Sequence, residues 1–256
     1  MSKSFIKDAR AIDKMRIAGQ LTAQVLDAVE PLIQPGVSTD ELNDFCHDMM
    51  VNQLDAIPAP LNYKGFPKSI CTSKNHIICH GIPNDSKLKK GDIIGVDVSL
   101  SKDGYYGDSC RTFCVGKVSV AANRLIQVTR QALDQAIGMV KPGVNLKTIS
   151  AFIQAYVEQN HCSVVREFCG HGIGTQLHEK GFQVLHYDDE HVEDFILQAG
   201  MTFTIEPMIN LGKADCKILA DEWTVVTKDR SLSAQFEHTL LVTKTGCDVL
   251  TKSLLA

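Results

Sequence analysis

The chain has 256 residues, of which 44% are hydrophobic and 22% are charged. This composition is typical of a globular protein and excludes an intrinsically disordered chain, and a chain of this length can bury a sizeable core. The net charge of −4 comes from 26 basic and 30 acidic residues. It argues against nucleic acid as the main ligand, because proteins that bind the phosphate backbone are usually basic.

The first ten residues, MSKSFIKDAR, are charged and lack the apolar core of a signal peptide. No run approaches the ~20 apolar residues that a membrane span needs. Nine cysteines occur without a CxxC pair, so we expect reduced and mostly buried thiols. These features predict a cytoplasmic protein that does not contact a membrane.

The first two predicted helices form a pair. One covers about residues 7–32, where apolar residues recur every three or four positions and Leu32 falls on the inner face. A Pro-Gly-Val turn at residues 35–37 ends it. Ser38 and Glu41 then have the spacing of a capping box, which predicts the start of the second helix.

A second helix pair follows later in the chain. Its first member covers about residues 120–140, and Asn145 caps its second member. The Pro-Gly-Val turn recurs between them at 142–144, and the His-Gly-Ile tripeptide at 80–82 recurs at 171–173. Short motifs that repeat in one order predict a duplicated half.

Strand patterns follow each helix pair. They cover residues 91–98, 105–115, 200–206, 223–226 and 234–243. Helices beside a mainly antiparallel sheet predict an α+β fold. We expect one domain over residues 1–256, with internal halves at about 7–116 and 119–250 and a site between them.

Three predicted strands carry an acidic residue at mid-strand, although carboxylates are poor strand formers. These residues are Asp97, Glu206 and Glu237, and side-chain alternation turns each away from its apolar neighbours. The Asp103-Gly104 pair predicts a hairpin turn. A two- or four-residue loop would put Asp108 on the same face as Asp97, whereas a three-residue loop would separate them unless a bulge intervened.

Four carboxylates on one concave face would repel each other strongly once buried. Divalent cations would remove this repulsion, because bridging carboxylates commonly hold two metal ions about 3.5–4 Å apart. His171, between Gly170 and Gly172, can add one imidazole, and such an oxygen-rich set suits Mn, Fe, Co or Zn. Each residue alone is more often a surface or turn residue, so the prediction depends on the joint pattern.

The motifs together resemble type I methionine aminopeptidase in its short bacterial form. They are, in order, CHGIP at 79–83, Asp97 with Asp108, GHGIG at 170–174, TIEP at 204–207 and SAQFEHT at 233–239. The resemblance covers about residues 8–243. It implies the pita-bread fold, in which two pseudo-symmetric halves pack helices on a curved, mainly antiparallel sheet, and it implies removal of the initiator methionine when the second residue is small.

The resemblance also implies a role for each site residue. Two divalent ions (Co, Mn, Fe or Zn) would be bound by Asp97, Asp108, His171, Glu206 and Glu237. A metal-activated water would attack the scissile carbonyl, and Glu206 would take the proton of that water. His178 would hydrogen-bond the carbonyl oxygen, and His80 would contact the amide nitrogen after the scissile bond.

Two further sites follow from the same resemblance. The pocket for the methionine side chain would be formed by Tyr63, Phe66, Cys71 and Trp223. A monovalent cation, Na or K, would be held by Asn75, Ser233 and the carbonyl of Ile77. Pro60 and Leu177 depart from the residues that many bacterial members have beside the substrate, which leaves the tolerance for the second residue open.

The expected partners are nascent polypeptide N-termini. Because the family works at the ribosome exit, ribosome contact through the basic cluster Lys87, Lys89 and Lys90 is a hypothesis. We expect a monomer without direct nucleic-acid specificity. Five further histidines are expected to be bystanders: His47 on a helix, His161 near a helix end, His186 and His191 in a polar loop, and His238 on the strand face opposite Glu237.

Two alternatives remain open. The same fold serves proline-specific aminopeptidases and prolidases, which usually carry an extra N-terminal domain and would cleave before proline. A non-catalytic pita-bread binding protein would lose metal ligands, whereas all five are present in this sequence.

Overall fold

The computed structural model describes residues 5–253 and 255. The α-helices of this part of the chain are α1 (Ala9–Val29), α2 (Thr39–Asp48), α3 (Val120–Met139) and α4 (Leu146–Gln159). Each begins at a side-chain cap, as the sequence predicts for two of them. Ser38 and Glu41 form the capping box of α2, and the side chain of Asn145 accepts a hydrogen bond from the backbone of Lys147 at the start of α4.

The end of the first predicted helix differs from the expectation. After α1 the backbone tightens into a 3₁₀ turn over Glu30–Leu32. Because a 3₁₀ helix has three residues per turn instead of 3.6, the apolar face moves by one position. Ile33 is buried in place of Leu32, which is exposed, so the placement of Leu32 on the inner face is wrong.

Every strand pair in the described residues is antiparallel. The strands are β1 (Ile57–Pro58), β2 (Cys71–Lys74), β3 (Ile77–Cys79), β4 (Ile93–Lys102), β5 (Tyr105–Cys114), β6 (Ser163–Val164), β7 (Gly170–Gly172), β8 (Glu179–Val184), β9 (Thr202–Ile205), β10 (Met208–Asn210), β11 (Cys216–Ile218), β12 (Val225–Thr227), β13 (Ser233–Gln235), β14 (His238–Val242) and β15 (Cys247–Val249). The α+β prediction is therefore confirmed.

The first sheet contains β1, β4 and β2 in that order, and β5 also pairs with β4. Lys102 pairs with Tyr105, so the β4–β5 hairpin has the two-residue loop Asp103-Gly104. Both loop residues have positive φ, 51° and 79°, which suits the type I′ turn that this sequence favours. The two-residue alternative is thus the correct one.

A five-stranded sheet has the order β15-β14-β9-β7-β8, and a three-stranded sheet joins β13-β10-β6. Another three-stranded sheet, β11-β12-β3, joins two late strands to the early strand β3. The continuous strand expected over 234–243 is wrong. It is broken at Phe236 and Glu237, because β13 pairs with β10 whereas β14 pairs with β9. At the break, the N–H of Glu237 donates to the carbonyl oxygen of Cys110 in β5 instead.

The helices cover the sheets in two layers. Apolar residues of α1 and α2 pack with β4 in one core, and those of α3 and α4 pack with β9 and β14 in another. We call the contact of β5 with β13 and β14 the seam. Its hydrogen bonds join strands of the two halves, for example from Thr112 Oγ1 to the Gln235 carbonyl oxygen at 2.8 Å. Within the described residues, no helix has the length and apolar character to cross a membrane.

Candidate metal centre and substrate cavity

The β4–β5 hairpin positions the first two predicted ligands. Asp97 pairs with Cys110, and Asp108 pairs with Ser99. Because residues two apart on a strand share a face, both carboxylates lie on the same side of the sheet. The Ser99 hydroxyl donates to Asp108 Oδ1 at 2.8 Å and holds that side chain within the sheet face.

His171 lies in β7 between two glycines that allow close backbone packing. A Cβ atom at Gly170 would lie 2.4 Å from the carbonyl oxygen of Thr204, and one at Gly172 would lie 2.8 Å from the side chain of Phe182. The His171 N–H donates to Thr204 Oγ1 at 3.0 Å. The same hydroxyl donates to Glu206 Oε1 at 2.8 Å, so Thr204 couples these two predicted ligands.

The predicted ligands meet in one buried cluster. His171 Nε2 is 3.5 Å from both Asp108 Oδ2 and Glu206 Oε1. Ligand atoms of Asp108, His171 and Glu237 all lie within 4.8 Å of one another. Asp97 joins them as part of the lining of the same cavity. The structure thus brings all five residues together.

Burial and mutual repulsion shift the protonation of this cluster. Burial, followed by the charges of neighbouring carboxylates, raises the pKa of Asp97 and Glu237 well above the usual range. Burial also raises the pKa of Glu206 to about 7. For His171, burial disfavours the charged ring, but the carboxylates of Asp108 and Glu206 outweigh it and raise the pKa.

Two buried oxygens of the cluster have no partner among the described residues. Asp97 Oδ1 and Glu237 Oε1 accept no hydrogen bond from residues 5–253 or 255. Buried carboxylate oxygens are normally paired, so these two indicate a group that the protein itself does not supply. Carboxylates with one imidazole form the ligand set that Mn, Fe, Co and Zn accept in proteins. The residues present therefore fit a divalent metal centre.

A cavity of about 390 Å³ opens next to the cluster. The residues expected to hold the methionine side chain all line it, namely Tyr63, Phe66, Cys71 and Trp223. Phe66 and Trp223 pack edge to face with ring centres 5.2 Å apart. Pro60 and Leu177 also line the cavity, so both departures from the family pattern lie where a substrate would be.

The two predicted catalytic histidines both line this cavity. His80, with φ of 54°, packs edge to face against Phe168 and Trp223. His178 lies with its ring centre 4.2 Å from that of His171, and its Nδ1 is 3.0 Å from the Tyr63 hydroxyl oxygen. Loss of water lowers the pKa of both rings, and nearby His171 lowers that of His178 further, to about 4.

The residues expected at a monovalent cation are close together but already bonded. Asn75 Oδ1 accepts the N–H of Ile93, and Asn75 Nδ2 donates to Asp92. The Ser233 N–H donates to the Asn75 carbonyl oxygen at 2.8 Å, and Ile77 follows in β3. The side chain of Asn75 thus holds the start of β4, and the cation site stays a prediction.

His186 has surroundings that differ from those predicted for it. Expected in a polar loop, it is buried, and its Nε2 accepts the N–H of Glu206 at 3.1 Å. Burial lowers the pKa of His186 to about 3, so the ring is neutral. The alternation of Phe182 and Val184, both buried, continues to position 186 and was the available signal.

Comparison with known proteins agrees with this geometry. A model of metallopeptidase family M24 matches residues 13–244. Methionine aminopeptidase of Escherichia coli (strain K12) is 53% identical over 247 residues, which cover 96% of this chain and 93% of that protein. The crystal structure of methionine aminopeptidase from Rickettsia prowazekii superimposes with a TM-score of 0.93 at 50% identity, covering 96% of this chain and 99% of that one.

A prolidase from Pyrococcus horikoshii shares the fold alone, with a TM-score of 0.74 at 21% identity over 97% of this chain and 64% of that one. The resemblance to methionine aminopeptidases and the pita-bread fold it implies are confirmed. With its family matched over most of its length and its cluster of buried carboxylates and imidazole, the chain belongs to metallopeptidase family M24.

Proposed function

We propose that this protein is a metalloaminopeptidase that removes an N-terminal methionine when the second residue is small. The observation that carries the proposal is the buried ligand cluster at the floor of a cavity with an apolar, aromatic wall. The identity of 53% to a methionine aminopeptidase over nearly the whole chain supports the same conclusion. Its substrates would be the N-termini of nascent polypeptides.

In this proposal two divalent ions would be held by Asp97, Asp108, His171, Glu206 and Glu237. Divalent ions there would lower the pKa of a water toward ~7 and supply a nucleophile at neutral pH. The candidate ions are Co, Mn, Fe and Zn, and they can be compared by the activity of protein reconstituted with each one. Glu206, whose Oε1 lies 3.5 Å from His171 Nε2 in the same cluster, would take up the proton of that water.

The other cavity residues bind and orient the peptide. The aromatic rings of Phe66 and Trp223 and the thiol of Cys71 provide an apolar surface for the methionine side chain. His178 donates a hydrogen bond to the carbonyl oxygen, where negative charge develops during attack. His80, which also lines the cavity, would contact the amide nitrogen that follows the scissile bond.

The decisive experiment is a panel of Met-X peptides, assayed with protein reconstituted with each candidate ion. We expect release of free methionine when X is small. Cleavage of X-Pro dipeptides without methionine release would instead support the prolidase alternative, for which the shared fold is the sole support. Asp108→Asn should abolish turnover, whereas Asp215→Asn, at an exposed acid paired with Lys228, should not.

We further propose a monomer that works in the cytoplasm, with a Na or K ion near Asn75, Ile77 and Ser233. Contact with the ribosome through the basic cluster is also a proposal. In that cluster Lys87 is already paired with Glu41 at 2.8 Å. Ribosome co-sedimentation that survives charge reversal of Lys87, Lys89 and Lys90 would contradict this docking surface.

A further inference from the structure

One hydrogen bond in the cavity joins a wall residue to a catalytic one. The Tyr63 hydroxyl oxygen lies 3.0 Å from Nδ1 of His178, and the ring centres are 5.5 Å apart. A residue that served only as an apolar wall would not need this hydroxyl. Phe66, whose ring has no hydroxyl, is buried against Trp223 and provides apolar surface to the same cavity.

The backbone around Tyr63 holds its ring in place. Asn62 and Lys64 flank it with φ of 64° and 47°, in the left-handed region that side chains rarely adopt. The Tyr63 N–H donates to the carbonyl oxygen of Pro60 at 2.9 Å, and the Phe66 N–H donates to that of Tyr63 at 3.0 Å. Non-glycine residues stay in such conformations where the surroundings fix them, often at functional sites.

The hydrogen bond has a preferred direction. In a neutral imidazole one nitrogen donates and the other accepts, and the partner of one nitrogen fixes the role of the other. A phenol hydroxyl, with a pKa of about 10, is a better donor than a neutral ring N–H, and a bare ring nitrogen is the better acceptor.

We propose that Tyr63 is a positioning residue: its hydroxyl donates to Nδ1 of His178, which keeps the proton on Nε2. His178 then enters the reaction as a hydrogen-bond donor through Nε2. The proposal rests on the proposed function, since the donor role matters where negative charge develops on a carbonyl oxygen. It assigns to Tyr63 an action through His178 in addition to surface contact with methionine.

The kinetic test is Tyr63→Phe in the metal-reconstituted enzyme, since the substitution keeps the ring and removes the hydroxyl. We expect kcat on a Met-Ala peptide to fall about tenfold, with KM within about twofold, because one oriented hydrogen bond is lost. In a His178→Ala background, Tyr63→Phe should have no further effect. A tenfold loss that persists in that background, or a change in KM alone, would overturn the proposal.

The second measurement does not depend on turnover. In zinc-loaded protein with ¹⁵N-labelled histidine, NMR correlations should show His178 protonated at Nε2 in wild type and as a tautomer mixture in Tyr63→Phe. An Nδ1-protonated ring in wild type would refute the inference. If wild type releases no methionine at all, the proposed function fails, while the spectrum still decides the role of Tyr63.

The matched control is Tyr156→Phe. It also removes a phenol hydroxyl from a hydrogen bond, to Gln131 at 2.6 Å, but between helices away from the cavity. We expect no change in kcat or in the His178 spectrum for this variant. Equal effects of the two substitutions would show that loss of any such hydroxyl disturbs the protein, and would remove the support for a specific link between Tyr63 and His178.

Discussion

The N–H of Glu237 donates to the carbonyl oxygen of Cys110 at 2.9 Å, and Cys110 pairs directly with Asp97 on the next strand. Cys110 therefore lies between two predicted metal ligands, Asp97 and Glu237, which belong to different halves of the chain. The Ser109 hydroxyl adds a second bond to the carbonyl oxygen of Glu237 at 2.6 Å. Both bonds fix the backbone of Glu237 against β5.

The first prediction concerns this seam. Ser109→Ala removes the hydroxyl from a fully buried position and leaves the Glu237 carbonyl oxygen without its partner. We expect a loss of about 1–3 kcal/mol in the free energy of unfolding and weaker metal binding, measured by urea denaturation and calorimetric titration. Ser163→Ala, which removes a half-buried bond to Gly212 outside the seam, should leave metal affinity unchanged.

The second prediction concerns the unpaired carboxylate oxygens. In metal-free protein, Glu237 is buried beside other carboxylates and has an oxygen without a partner. The raised pKa of Glu237 means that burying this carboxyl costs free energy, which Glu237→Gln avoids, so we expect the metal-free variant to melt at a higher temperature than metal-free wild type. Adding a divalent ion should raise the melting temperature of wild type, and it should raise that of the variant much less. A variant less stable than wild type without metal would contradict this account of the cluster.

The third prediction concerns pH. Burial raises the pKa of Glu206 to about 7 from a usual value of 4.5, so the folded state binds this proton more tightly than the unfolded state. The free energy of unfolding therefore falls as pH rises from about 4.5 to about 7. With metal removed by a chelator, the free energy of unfolding of Glu206→Gln minus that of wild type should increase from about pH 4.5 to about pH 7 and stay constant above that. An exposed control, Glu193→Gln, should show a constant difference from wild type.

The fourth prediction concerns His186, which accepts the N–H of Glu206. His186→Leu leaves that buried N–H unpaired, and we expect a cost of about 1–3 kcal/mol in stability together with lower metal affinity. His186→Gln has a side-chain oxygen that can accept the same hydrogen bond, so it should recover part of the stability and part of the metal affinity. Equal metal affinity in the leucine variant and wild type would show that His186 does not position Glu206.

Local chemistry made much of this fold predictable. The Asp103-Gly104 pair favours a tight hairpin turn. This turn fixes the strand register that puts Asp97 and Asp108 on the same face of the sheet. Capping side chains likewise mark helix starts, because the first backbone N–H groups of a helix need partners wherever it lies. The glycines beside His171 are interpretable for a similar reason, since a side chain there would collide with the adjacent strand.

Contacts between segments that are distant along the chain could not be predicted from the sequence. The apolar alternation runs unchanged through Phe236 and Glu237, so nothing local marks the break that β5 imposes. Tyr63 and His178 are 115 residues apart, and no periodicity links them. Three of the predicted ligands, Asp97, Glu206 and Glu237, could be recognised as unusual strand residues, but the sequence does not say which carboxylate oxygens lack hydrogen-bond partners.

The seam divides the ligand set between early and late parts of the chain. Asp97 and Asp108 belong to the hairpin of the first half, and the Thr239 hydroxyl that bonds the carbonyl oxygen of Asp108 lies 131 residues further on. During synthesis the hairpin leaves the ribosome long before Glu237 is made. In our proposal an unfinished chain then has two acidic ligands but no complete centre, so a peptidase of this design stays inert until its own translation is nearly over.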